Sequence, residues 1–188
     1  MQTKKANHVI RFLFVIFVLE SFIMTTELIG QAVNQKENPY DGLRRMAFKT
    51  KPEQLGLSLS SAKTIVYGIV MDWDVKNGTA SIISFLSGDA SIYFSSGGGI
   101  IGGGTHENVK IIAKQFVEKA QQMLDKAIKT EQTPLPDNNR VVFYLLTNKG
   151  VYSGQDNVDN FRNQTSIWLG LFLIGNEVIN ELRSIKEK

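Results

Sequence analysis

Residues Tyr93 to His106 read Tyr-Phe-Ser-Ser-Gly-Gly-Gly-Ile-Ile-Gly-Gly-Gly-Thr-His, with six glycines in the eight positions from Gly97 to Gly104. Ordering glycine costs more backbone entropy than ordering any other residue. A run this dense therefore marks positive φ angles or very close approach of the backbone to a ligand, a partner or the protein's own core. The segment lies between a strand pattern and a helix pattern, so it demands a tight strand-to-helix corner.

Around that corner the periodicities are clear. Thr64 to Trp73 is a nearly unbroken apolar run rich in β-branched and aromatic residues, the pattern of a strand buried on both faces. Lys76-Asn77-Gly78 signals a turn, Thr79 to Leu86 a second strand, Ser87-Gly88-Asp89 another turn. In the third strand Ala90, Ile92 and Phe94 alternate with Ser91, Tyr93 and Ser95. Beyond the glycines, Thr105 suits a helix N-cap, and Val109, Ile112, Ala113, Phe116, Val117, Ala120, Leu124, Ala127 and Ile128 form one helical stripe. Val141 to Leu146 is a second fully apolar strand. It turns at Asn148-Lys149-Gly150 into a short strand around Val151 to Ser153, with a polar loop from Gln155 to Asn163. Thr165 to Ile185 predicts the last helix, its stripe being Leu171, Ile174, Val178, Leu182 and Ile185. The fold class is therefore α+β: a single domain with a mostly antiparallel five-stranded sheet and two long helices on one face. Its boundaries read as residues 63–188 for the domain and 24–62 for an N-terminal arm, in which Asp41 to Phe48 predicts a short helix and Lys51-Pro52-Glu53 a turn.

Residues 1–23 stand apart. Lys4, Lys5 and Arg11 precede an apolar stretch from Phe12 to Leu19, the order of a signal peptide, although Glu20 and Glu27 sit awkwardly for one. Two readings stand. If translation starts at Met24 the extension is dispensable and the protein cytoplasmic; if the segment is a real signal the protein is exported or membrane-associated. The same residues carry three cations against one carboxylate, leaving about +1 of the formal +3 charge for everything from Met24 on. A near-neutral body argues against a phosphate-tracking groove, so no nucleic acid is expected. The absence of cysteine excludes disulfides and thiol chemistry.

Gly97-Gly98-Gly99-Ile100-Ile101-Gly102 matches the dinucleotide-binding spacing, but a glycine run produces that spacing almost automatically, and the next strand ends without an acid for a ribose. Gly99 to Thr105 has the outer spacing of a phosphate loop with Gly104 where its lysine belongs. What remains is the general chemistry of free N–H groups at a helix N-terminus. It makes Gly97, Gly98, Gly99, Gly102, Gly103, Gly104, Thr105 and His106 a candidate site for an anion or small ligand, set against a packed turn that binds nothing. His106 has no second ligand at metal spacing, so neither a metal nor a cofactor is expected. Asp72 and Asp74 flank Trp73 and would share a strand face, as acid-base residues or as solvated turn residues. Asp156 and Asp159 lack the spacing of a calcium loop, and Ser95 and Ser96 lack a base other than His106. In the last helix the apolar residues from Ile167 to Ile174 exceed what one face can bury. Trp168 and Phe172 are accordingly candidates for a homodimer or partner surface.

The stretches Arg44-Arg45-Met46-Ala47-Phe48, Lys51-Pro52-Glu53-Gln54-Leu55-Gly56-Leu57, Val66-Tyr67-Gly68, Tyr144-Leu145-Leu146-Thr147 and the glycine segment together resemble a family of uncharacterised bacterial proteins, from about Asn38 to the C-terminus. The resemblance implies one compact domain beginning shortly before the arm and a cytoplasmic setting, and carries no activity. The expected function is a non-catalytic module binding a small ligand or anion at the glycine corner. The alternatives are a self-associating or protein-interaction module and, third, an enzyme using Asp72, Asp74 or His106.

Overall fold

The computed structural model describes residues 38–186, and the signal-like segment lies outside them. In chain order the elements are α1 (Pro39–Lys49), β1 (Val66–Val75), β2 (Gly78–Phe85), β3 (Ala90–Phe94), β4 (Gly99–Ile100), α2 (Glu107–Gln122), β5 (Ile128–Thr130), β6 (Arg140–Thr147), β7 (Gly150–Asn157), α3 (Val158–Arg162) and α4 (Leu169–Lys186). Short 3-10 turns occupy Pro52–Leu55, Gly103–Thr105 and Leu124–Lys126. Among the described residues the strands form one antiparallel sheet of seven, in the order β4-β3-β2-β1-β6-β7-β5.

The sheet has a core on each face because β1, at its centre, is apolar at both alternations. Ile69 and Met71 point toward α2 and α4, where they meet Phe116, Val117, Leu171, Val178 and Leu182. Val70 points the other way, toward Tyr40 and Ala47 of α1, with Ile83 from β2 and Tyr144 from β6 beside it. The two long helices thus share one face, while the helix that the sequence places in the arm closes the second. Local chemistry starts that helix where it does: the Asn38 side chain accepts the Tyr40 N–H, Pro39 fills a first-turn position without needing a donor, and Asp41 faces the positive end of the dipole.

Several boundaries differ from the sequence-based expectation. The sheet has seven strands rather than five, the additions being β4 and β5, of two and three residues. Runs that short carry no readable alternation. Helix α2 ends at Gln122, and Ile128, assigned by spacing to its stripe, stands in β5 with 76% of its surface exposed. Strand β7 continues to Asn157 through polar residues, because β6 supplies a partner at every position; α3 follows where a loop was expected. Helix α4 starts at Leu169 rather than Thr165. Thr105 closes a 3-10 turn instead of capping α2, and His106 holds the cap position without a side-chain hydrogen bond.

Candidate functional site

The glycine segment divides into two halves with different work. In the first, β3 turns back on itself: the Gly97 N–H donates to the Phe94 carbonyl at 2.9 Å and the Phe94 N–H to the Gly98 carbonyl at 3.1 Å. Gly97 and Gly98 sit at φ of 106° and 82°, a region closed to most L-residues. Gly99 then pairs with Tyr93, so close to the Ile92 carbonyl that a Cβ there would overlap it. The expected strand-to-helix corner is therefore a hairpin first.

The second half leads into α2. Gly103 is buried, and a Cβ on it would stand 2.5 Å from Leu182 Cδ2 and 2.9 Å from Val109 Cγ1. The α2 N-terminus beyond it, where an anion was expected, opens on a cleft lined by His106 and by two acids, Glu107 and Glu181. Those two acids oppose a further negative charge in the cleft.

The first half borders a pocket of about 480 Å³. Its floor is Trp73 and Val75 of β1, Ala80 of β2, and Ile92 and Phe94 of β3. Its walls are Gly97, Gly98, Gly99 and Ile100 on one side, with Ile179 and Arg183 of α4 on the other. Alternation explains the floor, since these side chains all project to the face of α2 and α4. Trp73 is held by an edge-to-face contact with Phe172, ring centroids 5.2 Å apart. Arg183 is the single charged residue in the lining and makes no ion pair among the described residues. The eight expected site residues are thus separated: Gly97, Gly98 and Gly99 line the pocket, while Gly102, Gly103, Gly104, Thr105 and His106 do not.

Asp72 and Asp74 do share a strand face, the one opposite to α2, on which His106 resides. Asp72 is fully buried, and both its oxygens are engaged. Oδ2 accepts from Arg44 Nε at 3.0 Å and Nη2 at 2.5 Å, and Oδ1 from Ser81 Oγ at 2.5 Å. Because Ser81 gives its proton to the carboxylate, it receives one from the Tyr40 hydroxyl, 2.8 Å away. Arg44 also donates to the Thr133 carbonyl at 2.9 Å, and Tyr144 donates to the Pro134 carbonyl at 2.5 Å. Burial pushes the Asp72 carboxyl above the ordinary carboxylate range, against the pull of Arg44 and Ser81. Burial works against the Arg44 charge too, but Asp72 outweighs it and raises that group. Asp74 Oδ2 accepts the Asn139 N–H at 2.7 Å, fastening the start of β6. Tyr40, Arg44 and Ser81 escaped the sequence reading, although Asp72, an acid amid the apolar residues of β1, called for polar partners somewhere.

A second cleft, of about 490 Å³, runs beside β7 under the β5–β6 connection. Lys126 and Asp137 both line it, so it has no preference of charge sign. Trp168, expected at an interface, is 3% exposed and stacked on Phe143, centroids 5.7 Å apart, above Gly154. Phe172 turns inward as well, onto Phe161 and Trp73. The outward apolar residues of that stretch are Ile167 and Leu173. Among the described residues no group of acids and histidines could hold a metal, and no helix is long and apolar enough to cross a membrane. Comparison with family models, curated proteins and solved structures finds no significant match to this chain.

Proposed function

We propose that this protein binds a small, largely apolar ligand in the pocket walled by Gly97, Gly98, Gly99 and α4. One observation carries the reading: the glycine hairpin and α4 stand apart over an apolar floor, leaving about 480 Å³ unfilled. Ligand pockets fall at roughly 300–1,000 Å³ and are mostly apolar with a few polar groups, as here. Catalysis is disfavoured because Asp72 and Asp74 are tied to protein donors on the opposite face and His106 stands apart from both.

Trp73 reports on the pocket directly. Titration of the full-length protein with neutral apolar probes, 1-octanol and indane, should shift tryptophan emission saturably and raise the melting temperature. Ligand at about 100-fold above its dissociation constant adds about 2.7 kcal/mol of stability. Trp73→Phe should abolish the emission change, and Ile179→Trp, which fills the pocket, should abolish the thermal shift. If no probe gives a saturable signal in the unmodified protein, the reading is wrong.

A further inference from the structure

Resting on that reading, we infer that the ligand is an acid, and that Arg183 determines this by pairing with its carboxylate at the pocket mouth. Ten of the eleven lining residues are uncharged, and the eleventh is an arginine. An arginine that faces a protein carboxylate is explained by that partner, as Arg44 is by Asp72. Arg183 has none among the described residues, although α4 carries Glu177 and Glu181 close by in sequence. Arg183 is exposed where it lines this otherwise uncharged surface.

A guanidinium presents parallel N–H donors that match the two oxygens of a carboxylate, and the resulting charge-assisted pair is about twice as strong as a neutral hydrogen bond. Low-dielectric walls on the other sides strengthen it further, while exposure at the mouth keeps it sensitive to salt. The apolar floor takes the remainder of the ligand, a ring or short alkyl chain. This arrangement selects against neutral analogues, which leave the cation without a partner, and against amines, which repel it. The ligand class is therefore a small amphipathic carboxylic acid.

The test is a matched series on the full-length protein: octanoate, 1-octanol and octylamine at pH 7, read by tryptophan emission. Octanoate should bind about ten-fold more tightly than octanol, and octylamine most weakly. Raising the salt from about 0.05 to 0.5 M should shrink the difference. Arg183→Gln, at an exposed position where folding is not at stake, should remove the preference and bring octanoate to the level of octanol. Arg183→Glu should favour the amine. Equal binding of octanoate and octanol by the unmodified protein, or an acid preference that survives Arg183→Gln, overturns the inference while the pocket reading stands. Failure of all three to bind overturns both.

Discussion

Arg44 and Asp72 lie on different elements, the first on α1 and the second at the centre of the sheet, and both nitrogens that Arg44 presents converge on one oxygen, Asp72 Oδ2. The other oxygen is left to Ser81, so a single buried carboxylate joins α1, β1 and β2. The guanidinium also lies 4.8 Å from the Phe48 ring centroid, which adds a cation–π contact within α1.

Removing Arg44 leaves a buried charge without compensation, and Arg44→Leu should cost about 3–5 kcal/mol at pH 7. Adding Asp72→Asn should recover much of it. The sign of the pH dependence follows from the raised carboxyl. Below its unfolded value, about 3.9, Asp72 is neutral folded and unfolded, and only hydrogen bonds are lost. As pH rises through the folded value, the variant must bury a bare carboxylate, so the cost grows and then levels. Urea midpoints of both proteins at pH 4 and pH 7 measure this, and a cost independent of pH would refute it.

Tyr144 titrates in the opposite range. Burial, aided by Asp72, pushes its hydroxyl up to about 12. An unfolded tyrosine ionises near 10, so the unfolded chain gains from ionisation first and stability falls between about pH 10 and 12. Tyr144→Phe should flatten part of that decline, at a cost of about 1 kcal/mol near neutrality for the lost hydrogen bond. Melting temperatures from pH 8 to 11 would show both, and an unchanged slope counts against the assignment.

Ser84 is buried in β2, and its hydroxyl oxygen has no hydrogen-bond partner among the described residues. Ser84→Ala deletes a desolvated polar group and should be neutral or stabilising by about 1 kcal/mol. A clear loss in chemical denaturation would reveal a partner for that oxygen.

Gly102 and Gly103 are neighbours with different reasons to be glycine. At Gly102, in the left-handed region with open space around it, Asn should cost less than about 1 kcal/mol. Gly103→Ala drives a methyl into Leu182 and Val109 and should cost about 1–3 kcal/mol. Similar melting temperatures for the two variants would contradict the packing described.

Gly154 leaves the room that the Trp168 indole occupies. Gly154→Ala should therefore destabilise by about 1–3 kcal/mol, with partial rescue by Trp168→Leu, a non-additive pair in a double-mutant cycle. Trp168→Glu should unfold the protein rather than release a monomer. Self-association, if it occurs, should respond to Ile167→Glu instead, which light scattering on the folded variant decides.

Elements with a strong period were legible in the sequence: the β1–β3 meander, β6, and the buried stripes of α2 and α4 all follow from spacing. What stayed hidden depends on tertiary partners. Strand β7 is polar through Gln155, Asp156 and Asn157, and only its full register with β6 makes it a strand. Trp168 and Phe172 looked like surplus apolar residues because Trp73 is distant in sequence, while Gly154 and Phe161 lie where the sequence showed no packed element to receive them. At the site, the glycine density was visible, but not that its halves face different surroundings. Arg183 had no signal at all, being one cation in a charged helix end.

The two strands too short to be read from the sequence form the two borders of the sheet, β4 with two residues and β5 with three. A long, flat border offers a ladder of free N–H and C=O groups on which another chain can polymerise. Here the outermost rungs are few, and the chain leaves each of them at once, into a 3-10 turn after Ile101 and a proline-bearing connection after Thr130. The brevity of β4 and β5 thus limits the ladder that each outermost strand presents to another chain: lengthening either one would widen that template before it altered the interior.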